Sequence, residues 1–253
     1  MGFYEQFHEK LNTVKGYLER NVSLTLISHE IKLAFGSFLQ KIWIVTILFF
    51  GLLVTFGDRN LASVSSLLVF FVFFGTIIAL IGSSSSISGE IGGIADSLLS
   101  KSVKRWEYVL AKFVSHTVVF LSVYFLVLVC MVGILWNFNF LPDDLDYKNL
   151  FFVIGLLGLE LTFFSCIGVM FSSIFSKTIL SLLASIVVWF ILIFVFVTTG
   201  WEFLYSPVGV LNNFGLILKG SWDVDYWKIL LVYTGSPFVF FGISLLGFYQ
   251  KDL

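Results

Sequence analysis

Glu160 is the one ionisable residue standing well inside a long apolar run of this 253-residue chain. Placing a charged acid near a bilayer centre costs about 2.5–3.5 kcal/mol on insertion scales, so the carboxyl must face other helices, line a wet cavity or hold a proton. Two readings follow: a group on a substrate or proton path, or a neutral acid bonded to Ser or Thr neighbours. Gly155 and Gly158 precede it, and small residues permit close helix contact. Glu90 has a different setting, a polar stretch between two apolar blocks, with Gly93, Leu98, Leu99 and Arg105 following it.

Other reactive side chains do not assemble into catalytic patterns. His29-Glu30 begins a zinc-protease motif, but Leu33 stands where the second histidine is required. Gly242-Ile-Ser-Leu-Leu246 departs at its last position from the serine elbow G-x-S-x-G. His116, at the inner end of an apolar block, reads as a hydrogen-bonded interfacial residue. Cys130 and Cys166 both lie in apolar blocks and read as small buried hydrophobes. The phosphate cradle G-x-x-x-x-G-K-[ST] occurs nowhere. The expectation is a non-catalytic chain without metal-ligating or cofactor-binding residues of its own.

These residues are carried by a membrane framework. Of the chain, 58% is hydrophobic and 12% charged, against about 25% charged residues in an ordinary soluble domain. A water-facing surface cannot be built from that composition, and a net charge of −1 gives no nucleic-acid footprint. Six blocks approach the ~20 residues a spanning helix needs: Lys41 to Phe56, extended backward from Phe35, then Leu61 to Gly82, Leu110 to Trp136, Leu150 to Phe175, Ile179 to Val197 and Ile229 to Tyr249. They are continuously apolar, so helices and not barrel strands are expected. The fold class is an all-α polytopic bundle of six transmembrane helices at 41–249, a single domain.

Lys and Arg set the orientation. With the N-terminus inside, the inner segments hold Lys10, Lys15, Arg20, Lys32, Lys41, Lys101, Lys104, Arg105, Lys112, Lys177 and Lys251. The outer loops hold only Arg59, Lys148, Lys219 and Lys228. Both termini are therefore expected in the cytoplasm of a cell-membrane protein. The first twenty residues alternate charged and apolar positions, so entry through internal spans is expected rather than a cleaved signal.

Three segments surround the spans. Residues 1–21 place Phe3, Phe7, Leu11, Val14 and Leu18 at helical spacing, an amphipathic helix for a membrane surface or a partner. Residues 22–40 form a second such segment, with Ile27, Ile31, Ala34, Phe35 and Phe38 on one face, read as an in-plane elbow helix. The loop at 199–228, with Trp201, Pro207, Trp222 and Trp227, is expected to fold back onto the outer surface.

The inner loop at 83–108 is the informative one. Ile91, Ile94, Ala95, Leu98 and Leu99 recur at helical spacing, while Glu90, Asp96, Ser97 and Ser100 face the other way. Ser88 is the expected N-cap, and Ser83 to Ser86 end the preceding helix. Lys101, Lys104 and Arg105 then form a basic step, with Trp106 and Tyr108 at headgroup level. Such a helix either transmits a push from a soluble partner or anchors to anionic lipid.

The order Glu90-Ile-Gly-Gly93, Leu98-Leu-Ser-Lys-Ser-Val-Lys-Arg105 and Trp106-Glu-Tyr-Val-Leu-Ala-Lys112 resembles the signature loop of the membrane subunits of ABC transporters of the type-2 exporter class. Ile94, Ser102 and Lys104 replace that family's usual Thr, Pro and Ser. His29-Glu-Ile-Lys32, Ser206-Pro207 with Lys219-Gly220, and Phe248-Tyr-Gln-Lys-Asp-Leu253 are similar to its elbow, outer re-entrant loop and terminus. The wording around Leu98 and Arg105 is nearest to the branch serving nitrous-oxide reductase maturation. The resemblance implies a permease that exports a substrate, paired with a second permease copy, identical or a close paralogue, and with two separate ATP-binding cassette ATPase subunits that carry ATP and Mg. It also implies that Glu90, Gly93, Leu98, Leu99 and Arg105 couple to the ATPase; in such a pair the functional reading of Glu160 puts it on the substrate or proton path between the two permease copies, beside the structural reading of a neutral acid. An ATP-independent transporter or channel is the alternative, and an intramembrane enzyme a more distant one.

Overall fold

A computed structural model describes residues 22–58, 60–90, 103–141, 146–195, 207–222 and 226–251. The N-terminal amphipathic segment, the helix expected at Ile91 to Ser100, and residues 196–206 of the outer loop lie outside the described residues.

The described residues form nine helical elements and no strands. They are α1 Val22–Gly36, α2 Phe38–Asp58, α3 Leu61–Ser84, α4 Arg105–Asn137, α5 Tyr147–Ile174, α6 Thr178–Phe190, α7 Pro207–Asn212, α8 Phe214–Leu218 and α9 Tyr226–Tyr249. Five of them, α2, α3, α4, α5 and α9, are long and apolar enough to cross a membrane. The remaining expected span, Ile179 to Val197, corresponds to α6, which continues through a π-helical turn at Ile191–Val195 and is shorter than the others within the described residues.

Local chemistry sets the helix ends. Asn60 caps α3 by accepting the Ala62 amide at 2.7 Å, and Asp146 caps α5 by accepting that of Lys148 at 2.9 Å. At the start of α4, Glu107 reaches back to the Lys104 amide at 3.0 Å, half of a capping box. The α4 exit places Asn139 at φ 55, where the Phe140 amide returns to the Leu135 carbonyl at 2.9 Å. Gly220 does the same after α8 at φ 64, and glycine adopts that conformation without Cβ strain. The segment expected as an elbow breaks at Ser37, whose hydroxyl accepts the Gln40 amide at 3.2 Å, and α2 begins at Phe38.

The centre of the bundle is α5, which packs against α3, α4, α6 and α9, while α1 lies along α4. Gly168 sets the closest approach: a Cβ there would come within 2.7 Å of the Leu80 carbonyl oxygen and collide with the Ser83 hydroxyl. Gly158 approaches Tyr124 and Phe125 of α4, whereas Gly155 meets nothing within 4 Å. Within α3 the π-helical turn Phe71–Gly75 precedes Thr76, whose hydroxyl bonds the Val72 carbonyl and accepts the Trp189 indole N–H at 2.8 Å. That contact fastens α3 to α6.

Candidate functional site

The last turn of α3 runs into a tight turn at residues 85–90, and its polar groups are met by serines from neighbouring helices. The Ser172 hydroxyl on α5 accepts the backbone amides of Ile87 and Ser88, each at 2.9 Å. Ser181 on α6 donates to the Ser84 carbonyl at 2.7 Å. Three buried backbone groups at a helix end are satisfied in this way, leaving the turn stiff. The Ser88 hydroxyl bonds Ser84 and Thr178.

This turn delivers Glu90 to a buried cation. Lys112, two turns into α4 and 2% exposed, donates its ammonium to Glu90 at 2.6 Å and to Glu30 of α1 at 2.8 Å. The Tyr108 hydroxyl donates to the second oxygen of Glu90 at 2.6 Å. The Lys112 ammonium also lies 5.4 Å from the Tyr108 ring centre. The helix α1, the turn at residues 85–90 and α4 are thus joined through one ammonium group. A buried ion pair adds little net stability over an apolar packing, but losing one partner strands the others at high cost. Such a group is better suited to holding three elements in register than to strengthening the core.

Arg105 occupies the next joint. Its Nη1 donates to the carbonyls of Phe248, Tyr249 and Lys251 at 3.2–3.4 Å, and its guanidinium lies 5.6 Å from the Tyr249 ring centre. A cation at the carbonyl end of α9 complements the helix dipole. Tyr108 stacks on Phe248 at 5.6 Å, and the Lys251 ammonium donates to the Phe175 carbonyl at 2.9 Å. Partial burial lowers the Lys251 pKa to about 8. Ser23 of α1 bonds Glu107 at 3.1 Å.

Of the six residues singled out from the sequence, Glu90 and Arg105 meet at this end of the bundle, each bonded to another element. Gly93, Leu98 and Leu99 lie outside the described residues. Glu160 stands apart, twelve residues along α5 from Ser172, about 18 Å at helical rise. It is fully buried within one chain's bundle, in electrostatic reach of Tyr124 on α4 and Tyr233 on α9. Among the described residues neither carboxyl oxygen has a hydrogen-bond partner, so the Ser or Thr bonding of the second reading is not seen there. Lys112 and Glu30 were not singled out from the sequence. Only Lys112 had a signal of its own: a lysine seven residues after Arg105, inside an apolar block, needs an acid to meet it, though the sequence does not say which.

A bundle of apolar helices long enough to cross a membrane, with an ionic joint at one end, defines a polytopic membrane protein. The family model for ABC-2 family transporter proteins matches residues 8–253, and the chain belongs to that family. No curated protein matches the chain.

Proposed function

We propose that this chain is the permease subunit of an ATP-driven exporter, and that ATPase motion enters it through the inner turn at Glu90. The observation carrying the reading is the bond set of Lys112 with Glu90 and Glu30, which ties the inner loop to two separate helices. A displacement of the loop by a docked partner pulls on α1 and α4 together instead of bending a free segment. Gly93, Leu98 and Leu99 present the docking face, and Arg105 passes the displacement on to the end of α9. The complex comprises two permease copies and two ATPase subunits, which hold ATP and Mg. Six spans, with α6 extended as the fifth, and the uneven Lys and Arg distribution support termini in the cytoplasm. Glu160 serves the translocation path only when α5 parts from α4 and α9, since it is sealed in the packed bundle. The nitrous-oxide branch rests on the wording around Leu98 and Arg105 alone.

The test is purification with the ATPase encoded beside it, followed by measurement of ATP hydrolysis for wild type and Leu98→Asp. Co-purification and a loss of permease-stimulated hydrolysis in the variant are expected. A chain that transports without any ATPase, unaffected by Leu98→Asp, is an ATP-independent transporter, and the coupling reading is then wrong.

A further inference from the structure

One lateral face of the bundle carries a groove of about 340 Å³ between α4, α5 and α9. Leu110, Val114 and Val118 form one wall, and Phe238 and Phe241 the other. Thr162 and Cys166 form the floor. The floor's polar atoms are already used: Thr162 donates to the Gly158 carbonyl at 3.1 Å, and Thr117 lies 3.9 Å from the Cys166 sulfur. The rest of the lining is apolar, so the groove suits a hydrocarbon chain better than a polar ligand. The opening faces sideways into the bilayer, with Phe238 78% exposed at its lip. At about 30 Å³ for a water-sized unit such as a methylene, the groove takes on the order of ten methylenes.

Its position along the helix axis matters as much as its lining. Leu110 stands five residues, about 7.5 Å, and Val118 thirteen residues, about 20 Å, from Arg105 along α4. One leaflet of hydrocarbon is about 15 Å deep, half of the ~30 Å core. With Arg105 at headgroup level, the groove covers the depth of a single leaflet. At that level Lys104 and Trp106 are exposed, and Arg105 bridges α4 to the end of α9 through one of its terminal nitrogens, directly below the groove. The stripe Trp106, Leu110, Val114, Val118 at four-residue spacing connects the basic step to the groove. Transfer of an acyl chain from lipid to an apolar groove gains little by itself, because tails are as apolar as the wall. The headgroup must therefore supply the selectivity, and the positive charges of Lys104 and Arg105 at this level favour an anion.

We infer that the α4–α5–α9 groove is a binding site for an anionic phospholipid of the leaflet on the Arg105 side, its acyl chain along Val114 and Val118 and its headgroup at Lys104 and Arg105. The site requires only embedding in a bilayer, and stands whether or not the chain is ATP-coupled.

The experiment reconstitutes the full chain in nanodiscs doped with phosphatidylglycerol or phosphatidylcholine bearing a diazirine in the acyl chain, and maps photo-adducts by mass spectrometry. With phosphatidylglycerol, adducts on Val114, Val118, Phe238 and Phe241 should exceed severalfold those on Val45 and Phe49, which are exposed on α2. Phosphatidylcholine should show a weaker contrast, and Lys104→Gln with Arg105→Gln should bring phosphatidylglycerol down to that level. Val118→Trp fills the groove from its exposed lip and should abolish the enrichment, with Phe238→Ala as a second, smaller perturbation. Adducts spread evenly over exposed apolar positions, or equal for the two headgroups, overturn the inference. So does a change in oligomeric mass on Val118→Trp, which makes the groove a contact between protein chains.

Discussion

Replacing Lys112 by Met removes the ammonium while keeping a similar unbranched stem, and the consequences can be worked from the geometry. Two carboxylates, one of them 9% exposed and the other 24%, lose the cation 2.8 and 2.6 Å away. Removing one partner of a buried pair costs about 3–5 kcal/mol. The partial exposure of Glu90 and its remaining bond from Tyr108 place the expected loss near the lower end, about 3 kcal/mol. For a chain of this size 1 kcal/mol moves the melting midpoint by about 2–4 °C, so the variant should melt roughly 6–12 °C below wild type. Fluorescence-detected size-exclusion chromatography after heating in detergent reads this directly. Raised salt should leave the difference largely intact, because a buried cluster is poorly screened. The triple variant Lys112→Met, Glu30→Gln, Glu90→Gln carries no stranded charge, and should recover most of the midpoint while failing to restore permease-stimulated ATP hydrolysis. A single-variant shift below about 2 °C, or a triple variant no more stable than the single, refutes the cluster as an interdependent joint.

Ser172→Ala strands the amides of Ile87 and Ser88, and at about 1–3 kcal/mol for each buried unsatisfied group it should lower the same midpoint by several degrees, whereas Ser122→Ala on an exposed face should not. Gly168→Ala pushes a Cβ against Ser83 and the Leu80 carbonyl and should cost about 1–3 kcal/mol, while Gly155→Ala, in open space, should be neutral or mildly stabilising in the same assay. Lys251, with its pKa lowered to about 8, binds fewer protons folded than unfolded between pH 8 and its ordinary value near 10.5. Its contribution to stability therefore rises with pH across that window, and at pH 8 its uncharged fraction is about a hundredfold that of an ordinary lysine. Peptide mapping after brief treatment with an amine-reactive ester at pH 8 should find Lys251 labelled ahead of Lys32 and Lys41, and equal labelling would contradict the burial effect.

The membrane class was legible because hydropathy is additive over twenty residues and needs no knowledge of neighbours. Glu90 and Arg105 were legible because a short polar loop between apolar blocks concentrates the few charges available. Their partners were not: Glu30 lies 82 residues from Lys112, and nothing local to either announces the pairing. Ser83 to Ser86 were read only as a helix end, which is correct for their own backbone but misses Ser172 and Ser181 arriving from other helices. Gly155 and Gly158 drew notice by standing next to an acid, yet the tightest helix crossing belongs to Gly168. Spacing identifies small residues without saying which of them faces another backbone.

The three-way joint at Lys112 also has an order of synthesis. Glu30 leaves the ribosome 82 residues before its cation and Glu90 leaves it 22 residues before. At about 5–20 residues per second those intervals are roughly 4–16 s and 1–4 s. During that time α1 is held by no ion pair, and the first two spans are inserted beside two carboxylates without a cation. Arrival of α4 ends the wait for both at once. A nascent chain stalled before that helix carries both acids without the cation that joins them in the finished bundle.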